Sequence, residues 1–299
     1  MSVPAHQTGR VRSGDVDIFY RLIGRPAAAS TAPSSATPVL IAHGLSYFSY
    51  DWIDAAAALG AGRQVAAADT RGFGDSGWSS SADYAVPTLA QDIVAVLDAL
   101  GWQRVVLIGH SMGGRATSYC AAEHPRRVQG LVLVDYTPDN APAGSKRVSE
   151  RVAAQPDAFD SVEAAMRYAG VDPTSAAGAA KRARFEAYLR PVAGGFQLKR
   201  DLHFRNQFKR ALETGERQKL GVDMWQVIGK IACPILNIRG ARSDMYAAET
   251  VARMRGANPR LSVTEVDAGH DVAGENLAGF LAAVRPFIES LEARNEQAA

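Results

Sequence analysis

Cysteine is scarce: 299 residues contain two, Cys120 and Cys233. Two lone cysteines without metal-site spacing or a redox pair exclude a disulfide framework and a thiolate metal centre, and both are expected to be reduced and buried. Long apolar runs are missing too, with nothing near the ~18 residues a membrane-spanning helix needs. Charge of one sign is not in excess: 33 Lys and Arg face 31 Asp and Glu, for a formal charge of +2. That balance gives no ground for a nucleic-acid or membrane partner. Residues Met1 to Tyr20 lack the apolar segment of a signal peptide, so a cytoplasmic protein is expected. What is present is ordinary globular composition, 47% hydrophobic and 21% charged. The length suits one large α/β domain or a domain with a sizeable insertion, working on a small-molecule substrate as a monomer or homodimer.

One stretch organises the rest: Val105-Val106-Leu107-Ile108-Gly109-His110-Ser111-Met112-Gly113-Gly114. The apolar run up to Ile108 predicts a strand buried on both faces, and the small residues after Met112 predict a helix. A strand that reverses at once into a helix needs glycines beside the turning residue. The residue at the apex, Ser111, is then held in strained backbone with its side chain clear of both elements. Its hydroxyl stands at a helix N-terminus, where backbone N–H groups stabilise developing negative charge. Glycine-rich turns of this kind also bind phosphates, but neither G-x-G-x-x-G nor G-x-x-x-x-G-K-[ST] is present. Ser111 is therefore read as a nucleophile.

Along the chain, residues 1–14 are polar and expected to fray, and Val16 to Leu22 alternates as a half-exposed strand. Arg25 to Pro38 is almost all Ala, Ser, Thr and Pro, the composition of a flexible loop. Val39 to Ala42 is a buried strand ending in His43-Gly44-Leu45, where Gly44 lets the chain turn and aim the Leu45 N–H above the strand ends. Val65 to Ala68 is a short strand, and Asp69 and Arg71 in the loop after it are read as braces. Leu89, Ile93, Leu97 and Leu100 recur at helical spacing. Another strand spans Val128 to Val134 and ends in Asp135. Strand and helix alternate to this point, which argues for a parallel sheet covered on both faces. From about Thr137 to Gly221 no buried strand is evident, only charged helical sequence. The division expected is an α/β core of residues 1–136 and 222–299, with 137–221 an inserted helical cap. Strands resume at Pro234 to Gly240 and Leu261 to Val266, the latter leading into Gly269-His270.

In an open α/β sheet, ligands bind at the carboxyl ends of the strands. A serine hydroxyl needs a base within hydrogen-bond reach, and the base needs a carboxylate to orient it. Serine, acid and histidine lie here in the chain order that the elbow motif requires. Of the six histidines, His270 follows a late strand on a glycine-preceded loop and is read as the base. Asp135 and Asp244 both follow strands and both fall between Ser111 and His270.

The chain resembles the α/β-hydrolase superfamily. The resemblance is carried by His43-Gly44, by Asp69-x-Arg71-Gly72-x-Gly74-x-Ser76, by Gly109-His110-Ser111-Met112-Gly113, by Gly240 to Asp244 and by Gly269-His270. It implies an eight-stranded, mostly parallel sheet with helices on both faces, and no cofactor or metal. It also implies an oxyanion hole formed by the N–H groups of Leu45 and Met112. Similar hydrolases mostly place the acid after the penultimate strand, which favours Asp244 and leaves Asp135 as a loop brace that binds backbone amides.

The activity this implies is hydrolysis of a carboxylic ester or lactone through an acyl-serine intermediate. The alternatives are carbon–carbon bond hydrolysis or cofactor-free lyase or oxygenase chemistry at the same site, and a receptor that keeps the triad. Epoxide hydrolases and haloalkane dehalogenases are similar but need aspartate where Ser111 stands. Two features remain outside the motif. Arg115 is a long cation just beyond the elbow glycines, and Lys181 to Lys219 holds eleven Lys or Arg against four Asp or Glu, interleaved with aromatics. The basic segment suits either a solvated face or an anionic aromatic substrate.

Overall fold

The computed structural model describes residues 3–24, 36–216 and 220–298. Most of the Arg25–Pro38 loop and the end of the basic segment lie outside the described residues. The strands are β1 (Gln7–Ser13), β2 (Val16–Ile23), β3 (Val39–Ala42), β4 (Val65–Ala68), β5 (Val105–His110), β6 (Val128–Val134), β7 (Ala158–Phe159), β8 (Leu189–Val192), β9 (Gly195–Leu198), β10 (Ile235–Gly240) and β11 (Leu261–Val266). The helices are α1 (Ile53–Leu59), α2 (Val86–Ala99), α3 (Met112–Glu123), α4 (Pro142–Ala154), α5 (Val162–Tyr168), α6 (Ala176–Tyr188), α7 (Leu202–Thr214), α8 (Met224–Lys230), α9 (Ala248–Ala257), α10 (Val272–Glu275) and α11 (Leu277–Ala298). Among them no helix is long and apolar enough to cross a membrane.

Eight strands form one sheet in the order β1-β2-β4-β3-β5-β6-β10-β11. The β1–β2 and β2–β4 pairs are antiparallel, and every pair from β4 to β11 is parallel. This is the α/β-hydrolase fold that the resemblance implies. The central strands β3, β4, β5 and β6 are buried at every position. Such strands need apolar side chains on both faces, because helices cover both sides. One face packs on α2, α3 and α8 through residues such as Leu97, Leu107, Leu131 and Ile228. The other packs on α1 and α11 through Trp52, Ile108, Val132, Phe280 and Val284.

Two expectations change. Gln7 to Ser13 does not fray but pairs along its whole length with β2 as the edge strand. Its polar composition is that of an edge exposed to water on one side, which looks like a tail when read alone. The stretch after Asp135 is not wholly helical either, since β7, β9 and β8 form a three-stranded antiparallel sheet. Each of these strands is at most four residues long and buries one residue at most, so none carries an apolar run that periodicity could detect.

After Asp135 at the end of β6, residues 136–234 form an excursion that returns to the neighbouring strand β10. It has its own apolar cluster, in which Val162, Met166, Phe185, Tyr188 and Leu198 pack around Phe48 of the sheet side. It docks on the loop after β4: Gly74 N–H donates to the Lys199 carbonyl at 2.8 Å, and Asp201 N–H donates to the Gly72 carbonyl at 2.7 Å.

Candidate active site

The turn between β5 and α3 is built as its sequence requires. Ser111 has φ 50° and ψ −115°. A Cβ on Gly109 would lie 2.1 Å from the Thr117 hydroxyl, and one on Gly113 would lie 2.3 Å from the Ala42 carbonyl oxygen. Strand, helix and the neighbouring strand thus approach too closely for any larger residue. Ser111 occupies the N-cap position of α3, yet its side chain makes no capping hydrogen bond. The Ser111 hydroxyl lies instead 3.0 Å from Nε2 of His270.

Nδ1 of His270 lies 2.6 Å from Oδ2 of Asp135. The expectation that Asp244 orients the imidazole is therefore corrected: the structure brings Asp135 to His270. Register explains the placement. His110 pairs with Val134 across β5 and β6, so Ser111 and Asp135 leave adjacent strand ends side by side. Asp135 has φ 44°, a turned conformation that Asp tolerates better than most residues. Its carboxylate is fully buried. Oδ1 accepts the Gly240 N–H at 2.9 Å, and Oδ2 also accepts the Ser243 hydroxyl at 2.5 Å. Asp135 thus does brace the next loop, and it holds His270 with the same carboxylate.

Asp244, one residue beyond Ser243, turns outward. Its side chain is 41% exposed and pairs with Arg147 of α4 through two hydrogen bonds, of 2.7 and 2.6 Å. That pairing, above all its hydrogen bonds, holds the Asp244 carboxyl below the usual carboxylate range. The chain reverses at Gly240, where the Ser243 N–H returns to the Gly240 carbonyl. The reversal delivers Ser243, not Asp244, to the buried side.

Four successive strand ends therefore converge. β5 supplies Ser111, β6 supplies Asp135, β10 supplies Gly240 and Ser243, and β11 supplies His270. A carboxylate only accepts, so the imidazole carries its proton on Nδ1 and presents the Nε2 lone pair to Ser111. The composition and motif reading did not pick out Ser243 or the role of His110. His110 Nε2 lies 2.9 Å from the His270 carbonyl, so it is the nitrogen that donates. Burial keeps His110 neutral by pushing its pKa well below the ordinary imidazole value. His43 is likewise buried and lowered; its Nε2 accepts the Thr70 N–H at 2.9 Å and its Nδ1 contacts the Gly44 carbonyl at 2.8 Å.

Asp69 and Arg71 are braces, as expected. Asp69 accepts the N–H groups of Ser49 and Asp75, and Arg71 makes a two-pronged pair with Asp92 at 2.7 Å each. Cys120 and Cys233 are free and buried, and burial pushes both thiols up to about 12. Among the described residues no group of three or more His, Cys, Asp or Glu is placed to hold a metal ion.

A cavity of about 460 Å³ opens over Ser111 and His270. Leu45, Met112, Arg115 and Tyr136 line it with them, as do Val148, Phe204 and Phe208 from the excursion. Met112 is the first residue of α3, so its N–H has no partner within the helix. The turn carrying Leu45 is closed by the Tyr47 N–H on the Gly44 carbonyl. It lies so near the elbow that a Cβ on Gly44 would sit 3.1 Å from Cβ of Ser111. Among the described residues, no Lys or Arg of the basic segment lines this cavity. Arg182 pairs with Glu163 and Glu186, Arg184 with Asp51, Lys199 with Asp75 and Arg205 with Asp157.

The sequence matches the family described as alpha/beta hydrolase fold over residues 37–277. It is 30% identical over 251 residues to a 3-hydroxybutyrate-oligomer hydrolase of Cupriavidus necator, covering 80% of this chain and 84% of that one. It is 29% identical over 226 residues to a 2-(acetamidomethylene)succinate hydrolase of Mesorhizobium japonicum, covering 75% and 78%. The crystal structure of an E-2-(acetamidomethylene)succinate hydrolase superposes with a TM-score of 0.80 at 26% identity, covering 95% of this chain and all of that one. Fold, elbow and relatives agree, and the chain belongs to the α/β-hydrolase family and is a hydrolase of that type.

Proposed function

We propose that the protein hydrolyses a carboxylic ester or lactone through an acyl-serine intermediate, with Ser111 as nucleophile, His270 as base and Asp135 as the orienting acid. The observation that supports this most is the unbroken chain of hydrogen bonds from Ser111 through His270 to Asp135. Nε2 of His270 takes the Ser111 proton as the hydroxyl oxygen attacks the ester carbonyl. The imidazolium formed is stabilised by the Asp135 carboxylate, which stays ionised. The N–H groups of Leu45 and Met112 receive the oxyanion, and His270 then protonates the departing alcohol. Water, activated by the same imidazole, releases the acid.

The relative that acts on 3-hydroxybutyrate oligomers favours an ester, because hydroxy-acid oligomers are joined by ester bonds. A second reading, hydrolysis of a bond other than an ester, is kept by the likeness to the 2-(acetamidomethylene)succinate hydrolase. A panel of p-nitrophenyl esters, lactones and aromatic diketones, assayed with and without a fluorophosphonate, separates the two. Ester turnover blocked by one covalent adduct on Ser111 supports the first reading. Diketone cleavage without ester turnover supports the second, and carbon monoxide release or a strict need for oxygen overturns both.

A further inference from the structure

Arg115 lies one helical turn past Ser111 on α3 and lines the same cavity. It is partly buried, and among the described residues it has neither a hydrogen-bond acceptor nor an ion-pair partner. Beside it Tyr136, only 2% exposed, also lines the cavity, and its buried hydroxyl has no hydrogen-bond partner. The Tyr136 ring lies against α3, where a Cβ on Gly114 would meet it at 2.5 Å. Burial raises the phenol pKa, so the hydroxyl remains a donor, while Arg115 pulls in the opposite direction from close by. Burial also lowers the Arg115 pKa, but a guanidinium stays charged throughout the working range.

The acid on this wall is already engaged. Asp139 accepts from Trp225 Nε1 at 2.7 Å and from Arg253 at 3.2 Å. A second cavity arginine, Arg151, is exposed, so water answers its charge. Arg115 and Tyr136 thus hold N–H and O–H donors that no described residue accepts from, in the lining of the cavity that contains Ser111. Leaving the buried Tyr136 hydroxyl unanswered is costly, and an anion held between it and the partly buried Arg115 relieves that cost.

We propose that Arg115 and Tyr136 form a carboxylate-binding subsite, and that the substrate is an ester carrying a carboxylate a short distance from the bond that is cleaved. The guanidinium fork and one hydroxyl match the two oxygens of a carboxylate. One cation balances one such charge, whereas a phosphate dianion would leave its second charge facing Asp139. The proposal rests on the acyl-serine reading for the word ester, but not for the anion.

The test compares p-nitrophenyl hemiglutarate with p-nitrophenyl pentanoate, acyl groups of equal length with and without the terminal charge. Glutarate and inorganic phosphate are titrated calorimetrically in parallel. Wild type should prefer the hemiglutarate in kcat/KM and bind glutarate. Arg115→Met should reduce that preference and the glutarate affinity by about tenfold to a hundredfold, the range for a hydrogen-bonded charge. Tyr136→Phe keeps the ring that packs on Gly114 and should weaken glutarate binding by about threefold to tenfold. The subsite is overturned if wild type handles the neutral ester as well as the acidic one, if glutarate binds Arg115→Met as tightly as wild type, or if phosphate binds wild type more tightly than glutarate. Ser111→Ala keeps the two readings apart. Turnover that survives it while binding still depends on Arg115 sinks the acyl-serine reading alone. Turnover that vanishes with it while the preference ignores Arg115 sinks the subsite alone.

Discussion

The floor and the roof of the cavity use charge in opposite ways. On the floor, four strand ends bring Ser111, Asp135, Ser243 and His270 together, and both carboxylate oxygens of Asp135 are bonded inside the protein away from water. On the roof, charges are far more numerous but are spent on one another at the surface, as in Arg182 with Glu163 and Arg147 with Asp244. Exposed pairs of this kind contribute little, about 0–1 kcal/mol each. A buried, fully bonded carboxylate holds its geometry, and losing part of its network costs much more. Charge density along a sequence is therefore a poor guide to where charge acts.

The sharpest test of the contrast is on the floor. Ser111→Ala should lower turnover by about six orders of magnitude, the scale seen when a serine hydrolase loses its nucleophile, with melting little changed. Turnover within tenfold of wild type would break the assignment. Next in size is Asp135→Asn. In a serine protease the comparable replacement costs about four orders of magnitude in kcat, because the imidazole takes the wrong tautomer. We expect a loss of that order, measured as kcat on the ester used for Ser111→Ala. Replacing Asp135 also removes an acceptor from Ser243, so a lowered melting temperature should accompany it.

The elbow can be tested by stability alone. Gly113→Ala forces a methyl group to within 2.3 Å of the Ala42 carbonyl oxygen. Overpacking of this kind costs about 1–3 kcal/mol, which urea unfolding would register as a lower midpoint. The pH dependence is of similar size. His43 and His110 are held neutral by burial, with pKa values below the ordinary imidazole value. Unfolded, each takes up a proton as pH falls below about 6.5, while the folded forms do not until their own lower values are reached. The unfolded state then binds more protons, so stability falls as pH drops through that window, by up to about 1.4 kcal/mol per pH unit for each histidine. Urea unfolding at pH 7.5, 6.5 and 5.5 measures it, and a flat profile would show that neither ring is held neutral.

The smallest effect belongs to the exposed pair that joins Arg147 of the roof to Asp244 of the loop after β10. Asp244→Asn should leave kcat within about threefold and stability within about 1 kcal/mol, as for other exposed pairs. A collapse of activity at unchanged melting would restore Asp244 to the triad and erase the contrast.

The sheet, the elbow, Ser111 and the approach of His270 were legible because each follows from a local rule: buried apolar strands, glycines flanking a tight turn, a histidine just past a late strand. The partner of His270 was not. Asp135 and Asp244 satisfy the same chain order, and the choice depends on register between β5 and β6, which is a property of pairing and not of local sequence. The one residue-level hint is distance from the strand: Asp135 follows Val134 directly, while Asp244 comes after a reversal at Gly240. The small sheet of β7, β8 and β9 was hidden for another reason. Strands this short, each burying one residue at most, hold no apolar stripe, so there is no period to find. Arg115 stood out as a long cation just beyond the elbow glycines, but only the structure shows that it lines the cavity with no described residue answering it.

The excursion between β6 and β10 has a consequence for how this enzyme is made and how it can change. Ser111 and Asp135 are synthesised before it, Ser243 and His270 after it. On the proposed assignment, a nascent or truncated chain that stops short of β11 carries Ser111 without His270, so hydrolytic activity is withheld until the last strand has docked. Because the two ends of the excursion are fixed by neighbouring strands, its length is thermodynamically cheap to alter. Doubling a closed loop costs only about 0.6 kcal/mol. Grafting a different roof between Pro138 and Leu220 is thus a route to new substrates that leaves the proton relay where the sheet put it.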